Sequence, residues 1–146
     1  MLDTPTVDTT ETTISAALAR ALQIVDAKLH VHARRSQTTL SQLRVLQALA
    51  THEPCSQTRL VEITHVDRST LADICRRLMR AGLVHRRRTK EDARAYAVRL
   101  TDAGKAAMKA GAGVLAKAEA DLLKPLSDRQ RGELRALLSV ITASKG

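Results

Sequence analysis

The chain has 146 residues, 24 Lys and Arg against 15 Asp and Glu for a formal charge of +9, and 44% hydrophobic residues, enough for one domain with its own core. A single Tyr with neither Phe nor Trp leaves the core to aliphatic packing, which favours helices. It also argues against single-strand and RNA-binding modules, which stack bases on aromatic platforms. No apolar run approaches the ~18 residues of a membrane span, the start MLDTPTVDTTETT is polar and acidic, and two cysteines make no disulfide framework; a cytoplasmic location is expected.

Residues 1–12 are Thr-rich and without periodicity, which predicts a disordered tail. Over residues 13–35 an aliphatic stripe of Ile14, Leu18, Leu22, Val25 and Leu29, widened by Ala17 and Ala21, predicts a helix. So long a stripe at the end of a small domain needs a partner surface, in the same chain or in a second copy. Thr39 and Gln42 stand at capping-box spacing before Leu43, Leu46 and Leu49, predicting a second helix over 40–51 that His52-Glu53-Pro54 breaks. Ser56 caps a short third helix over 57–64, packed through Leu60 and Ile63. His65-Val66 forms the turn into a fourth.

Asp67 caps that fourth helix, in which Leu71, Ile74, Cys75, Leu78 and Met79 share one face. Ser69, Thr70, Asp73, Arg76, Arg77 and Arg80 fall toward the other. Gly82 suits the left-handed residue that closes a helix. An extended run over 84–88, a polar tip over 89–93 and a second run in which Tyr96, Val98 and Leu100 alternate with Ala95, Ala97 and Arg99 predict a hairpin. Two short helices and a tight turn, the second helix basic and followed by a hairpin, read as a helix-turn-helix with a wing. Beyond it, residues 101–123 predict an Ala-rich helix, where Gly104, Gly111 and Gly113 each cost roughly 1 kcal/mol relative to Ala and so mark bends or close packing. Pro125 ends it, and Ser127 with Gln130 boxes the start of a last helix carrying Leu134, Leu137, Leu138 and Ile141.

Charge follows the same division. Residues 68–99 hold ten of the 24 Lys and Arg but only Asp73, Glu91 and Asp92 as acids, so +7 of the net +9 sits there. A basic patch of this kind releases counterions from DNA and gives salt-sensitive affinity. Catalytic signatures are missing: the chain holds no phosphate-cradling glycine loop, nucleophile elbow or metalloprotease motif. His30 and His32 lie two apart on a helix and point in different directions, and no cofactor or metal is expected. Cys75, on the apolar side of the fourth helix, reads as a small buried thiol; the sharper reading is a redox switch activated by Arg76 and Arg77. Tyr96 reads as a packing residue of the wing strand. Two other readings remain open: a sequence-tolerant architectural DNA binder, and a winged-helix module that meets an acidic protein.

The segments VDRSTLADICRRLMRAGLVHRRR, Asp92-Ala93-Arg94 and VRLTDAG, together with TTLSQLRVLQAL and LSDRQRGEL, resemble the MarR family of winged helix-turn-helix transcriptional regulators across nearly all of residues 13–144. The resemblance implies a mainly α (α+β) fold with long N- and C-terminal dimerisation helices and a two-stranded β wing. The expected division is a tail over 1–12, a dimerisation helix over 13–38, a DNA-binding core over 39–100 and dimerisation helices over 101–146. It implies a homodimeric repressor on a palindromic operator in double-stranded DNA, released by a small anionic or phenolic effector, and no enzyme. It places Arg68, Ser69, Thr70, Asp73, Arg76 and Arg77 at the major groove and Lys90 and Arg94 in the wing, with Asp92 orienting Arg94. His30, His32 and Arg34 are the candidates to meet an anionic effector. The chain lacks the aromatic residues that often line the family's effector pocket, and the N-terminal-helix cysteine of peroxide-sensing relatives.

Overall fold

The computed structural model describes residues 13–32, 38–90 and 96–143, and within them six helices and one two-stranded antiparallel sheet follow in chain order. They are α1 (Ile14–His32), α2 (Leu40–His52), α3 (Gln57–Thr64), α4 (Arg68–Arg80), β1 (Val84–Arg88), β2 (Tyr96–Leu100), α5 (Asp102–Leu122) and α6 (Asp128–Ala143). This is the winged helix-turn-helix architecture that the sequence pattern predicts.

Side chains set the helix starts, because the first amides of a helix have no partner inside it. Thr39 Oγ1 accepts from Gln42 N (3.2 Å) while Gln42 Oε1 accepts from Thr39 N (3.0 Å), closing a capping box. Ser127 and Gln130 do the same at α6, at 3.3 and 2.9 Å. Ser56 Oγ accepts from Arg59 N at α3, and Asp67 Oδ1 from Thr70 N at α4. Thr101 caps α5 by accepting from Gly104 N, while its hydroxyl donates to the Gly82 carbonyl at 2.6 Å. The start of α5 is thereby tied to the end of α4.

Two clusters hold the chain together. The larger joins Val45, Leu46 and Leu49 of α2, Leu60 of α3, Leu71, Cys75 and Leu78 of α4, and Val84, Val98 and Leu100 of the sheet. The smaller packs Val25 and Leu29 of α1 on Ala118 of α5, bordered by Leu40, Val114, Leu115 and Leu122. Asp26 Oδ1 accepts from Leu40 N (3.1 Å), adding a polar link from α1 to the first turn of α2. The glycines of α5 divide by surroundings. A Cβ on Gly104 would collide with the Leu83 carbonyl, and one on Gly111 would lie 2.7 Å from Leu43 Cδ1, so both mark close packing. Gly113 has nothing within 4 Å.

The stripe of the first helix does not act as one face. Val25 and Leu29 are buried, but Ile14, Leu18 and Leu22 remain 76%, 40% and 55% exposed. Only the second half of α1 lies on α5. The α6 helix buries no residue, and Leu137, Val140 and Ile141 are 64%, 71% and 58% exposed. Arg131 Nε anchors its base by donating to the carbonyls of Leu123 and Leu126, at 3.2 and 3.1 Å. No helix of the described residues is long and apolar enough to cross a membrane. Residues 1–12, expected as a disordered tail, lie outside the described residues.

Candidate nucleic-acid interface

The polar face of α4 is built by the burial of the other. Leu71, Ile74, Cys75 and Leu78 point into the core, which turns Arg68, Ser69, Thr70, Arg76, Arg77 and Arg80 to solvent. Asp73, partly exposed, sits among them. Its Oδ2 accepts from Arg77 Nε at 2.8 Å and its Oδ1 lies 3.6 Å from Arg76 Nη2. Pairs this exposed add little stability, about 0–1 kcal/mol; their consequence is that two guanidiniums are held beside one carboxylate on the outer face. Asp67 holds the start of the helix. Hydrogen bonds from the Thr70 side chain, the Thr70 amide and the Ser69 hydroxyl lower its pKa to about 2.

The turns on either side of α4 are sharp. His65 takes φ 54°, the left-handed conformation that a non-glycine residue seldom adopts, and its amide donates to the Val61 carbonyl to end α3. After α4, Gly82 at φ 70° supplies the same conformation without a Cβ penalty and sends the chain into β1. Between α2 and α3 lies an open cavity of about 300 Å³ bordered by Arg44, Gln47, His52 and Thr64. Arg44 Nη2 donates across the two helices to the Thr64 carbonyl.

The wing pairs Val84 with Leu100, Arg86 with Val98 and Arg88 with Tyr96. Side chains alternate along a strand, so Arg86 and Arg88 share a face with Tyr96 while Arg87 takes the other. The Arg86 guanidinium lies over the Tyr96 ring at 4.8 Å from its centroid and that of Arg88 at 5.7 Å. Arg88 Nε also donates to the Tyr96 hydroxyl at 3.3 Å. The root of the wing is fixed at several points. Cys55 and Val98 exchange backbone hydrogen bonds at 3.2 and 2.8 Å, so a one-residue bridge lies alongside β2. Glu53 Oε1 accepts from Leu100 N at 2.7 Å, and Thr101 N donates to the Leu83 carbonyl at 3.0 Å.

Of the predicted groove residues of α4, Ser69, Thr70, Asp73, Arg76 and Arg77 are thus brought onto one outward face, whereas Arg68, also exposed, borders a small cavity with Gln57, Thr58 and Val61 of α3. Lys90 lies exposed just beyond β1, whereas Asp92 and Arg94 of the tip fall outside the described residues. His30 is exposed near the end of α1; Arg34 and the side chain of His32 fall outside the described residues. Cys75 is fully buried, and burial raises its thiol pKa despite a hydrogen bond with Gln57 and the charge of Arg86. The redox reading is therefore corrected: Arg76 and Arg77 face outward onto Asp73 and do not activate the thiol. Sequence reasoning missed Glu53, Cys55 and the arginines of β1 as wing-organising residues. Of these, only Cys55 carried a signal, since free cysteine is among the most buried residue types.

Known proteins match this arrangement. A model of the MarR family matches residues 36–95. The HTH-type transcriptional regulator PecS of Dickeya dadantii is 30% identical over 125 residues, 86% of this chain and 73% of its own. Across the curated relatives it matches, the chain spans from about half to three quarters of their length, 51% to 73%. Among solved structures, the PcaV transcriptional regulator from Streptomyces coelicolor, in complex with its natural ligand, superposes with a TM-score of 0.77 at 30% identity, over 90% of this chain and 94% of that one. The transcriptional repressor CouR, bound to a 23-mer DNA duplex, superposes with a TM-score of 0.79 at 26% identity, over 89% and 92%. With a family match from α2 through the first wing strand, and a relative 30% identical over 86% of this chain, the chain belongs to the MarR family of transcriptional regulators, which are not enzymes.

Proposed function

We propose that this protein is a homodimeric repressor that acts in the cytoplasm on a palindromic site in double-stranded DNA and leaves it when a small anionic or phenolic compound binds. The observation that carries the reading is the outward face of α4, where Asp73 holds Arg76 and Arg77 beside a wing rich in arginine. In it, Arg68, Ser69, Thr70, Asp73, Arg76 and Arg77 meet the major groove. There an arginine fork matches a guanine edge or a phosphate. Lys90 and Arg94 serve the wing, with Asp92 orienting Arg94 for a narrow minor groove. CouR, solved on duplex DNA, supports the DNA half of the proposal, and PcaV, solved with its ligand, supports the effector half.

The two-fold assembly rests on apolar surface. Leu134, Leu137, Val140 and Ile141 of α6 and Ile14, Leu18 and Leu22 of α1 form exposed aliphatic stripes, which chains seldom leave in water. Residues 13–38 and 101–146 accordingly form the dimer unit and residues 39–100 the DNA reader. His30, His32 and Arg34 receive the anionic group of an effector.

Selection of bound duplexes from a random pool tests the reading. An inverted repeat should be enriched; a pool with no shared motif would refute a sequence-specific regulator. Thermal-shift screening of small carboxylates tests effector control, which requires a compound that both stabilises the protein and weakens DNA binding.

A further inference from the structure

The one tyrosine of this chain, which has neither Phe nor Trp, is not in its core. Tyr96 is 41% exposed at the far end of β2, on the sheet face whose other end carries the buried Val98 and Leu100, with guanidiniums of the facing strand over the ring at 4.8 and 5.7 Å. Among the described residues no carboxylate pairs with Arg86 or Arg88. We propose that Tyr96 is a positioning residue for DNA binding: its ring aligns Arg86 and Arg88 on the wing so that both grip the phosphate backbone. This rests on the DNA-binding reading above.

The geometry gives the ring a specific effect. A guanidinium stacked on an aromatic face keeps its N–H donors in its own plane, directed past the ring edge, where a phosphate oxygen can accept two of them. An unstacked arginine on an exposed strand samples many rotamers and must lose that freedom on binding; the ring removes part of the loss beforehand. The Tyr96 hydroxyl also accepts one long hydrogen bond from the Arg88 guanidinium, 3.3 Å at an exposed position where water competes for the same donor. The reader thus has two arginine pairs held in different ways, Arg76 and Arg77 by a carboxylate and Arg86 and Arg88 by a π face.

The test uses the full chain and a fluorescein-labelled mixed-sequence duplex at several salt concentrations, because nonspecific affinity comes almost wholly from phosphate contacts. Tyr96→Ile keeps a strand-forming side chain but removes the ring. It should weaken binding about five- to tenfold, from two exposed cation–π contacts, and flatten the salt slope by about one to two phosphate equivalents. Tyr96→Phe should stay within about twofold of the unaltered protein, since it keeps the ring. In an Arg86→Ala/Arg88→Ala background, which leaves β2 untouched, Tyr96→Ile should change neither affinity nor slope. A merely structural Tyr96 would lose affinity equally in both backgrounds, and that result would overturn the proposal. So would a Tyr96→Ile protein that binds like the unaltered one, or a Tyr96→Phe protein as weak as Tyr96→Ile. If the unaltered protein binds no duplex, the DNA-binding reading fails and the positioning role falls with it.

Discussion

Leu137→Ser isolates the proposed dimer surface from the fold of the single chain. Leu137 lies in the middle of α6 and is 64% exposed in one chain, so its loss removes little internal packing. Fully burying a leucine is worth about 1.5–3 kcal/mol, and the share still to be gained on association is about 1–2 kcal/mol per copy. A two-fold interface carries the residue twice, so the substitution should cost about 2–4 kcal/mol of dimer stability. That corresponds to a rise of roughly 30- to 700-fold in the dimer dissociation constant. Sedimentation equilibrium over a range of concentrations measures it, with far-ultraviolet circular dichroism checking that the helices persist. An unchanged dissociation constant would remove Leu137 from the interface. An unaltered protein that sediments as a monomer at micromolar concentration would remove the two-fold assembly altogether.

Helix and wing should separate by readout: Arg77→Ala, which leaves Asp73 with Arg76 alone, should cost about 1–3 kcal/mol at particular bases, whereas Arg94→Ala should weaken all sites and reduce the salt slope by about one. Binding across single-base operator variants at several salt concentrations distinguishes them; uniform losses from both would mean that α4 reads no bases. Asp67, held at about 2 against an ordinary 3.8, has its pKa lowered by folding, so the stability it adds is present above pH 3.8 and disappears as pH falls toward 2. A proton-detected titration of its carboxyl should have its midpoint near 2, and Asp67→Ala should remove this part of the acid sensitivity. Gly104→Ala should destabilise by about 1–3 kcal/mol because its methyl meets the Leu83 carbonyl. Gly113→Ala, in open space, should stabilise by about 0.5–1 kcal/mol; urea titrations that rank the two the other way would contradict the packing.

Local chemistry made much of this fold legible. Thr39 with Gln42, Ser56, Asp67 and Ser127 with Gln130 are caps that a sequence displays directly, since each acts within three residues. The buried set of α4 follows from 3.6-residue spacing, with Leu71, Ile74, Cys75 and Leu78 inside. Spacing also placed the outward residues of α4 together. It did not reveal the split of α1, because a stripe records which residues are apolar and not how far the covering helix extends. The exchange between Cys55 and Val98, and the bond from Leu100 to Glu53 47 positions away, carry no periodicity at all. Such contacts depend on tertiary placement, as does the ring of Tyr96 meeting arginines of the opposite strand.

That solitary ring also determines what light can report about this molecule. With neither Phe nor Trp, the near-ultraviolet spectrum arises almost wholly from Tyr96, and therefore from the wing. Far-ultraviolet ellipticity comes instead from the six described helices. Two instruments thus view two parts of one chain without labels. If their melting curves coincide, wing and helices unfold as one unit. If the tyrosine signal moves first, the wing opens as a separate, less stable unit, and the temperature gap between the curves measures how firmly Glu53, Cys55 and Thr101 hold its root.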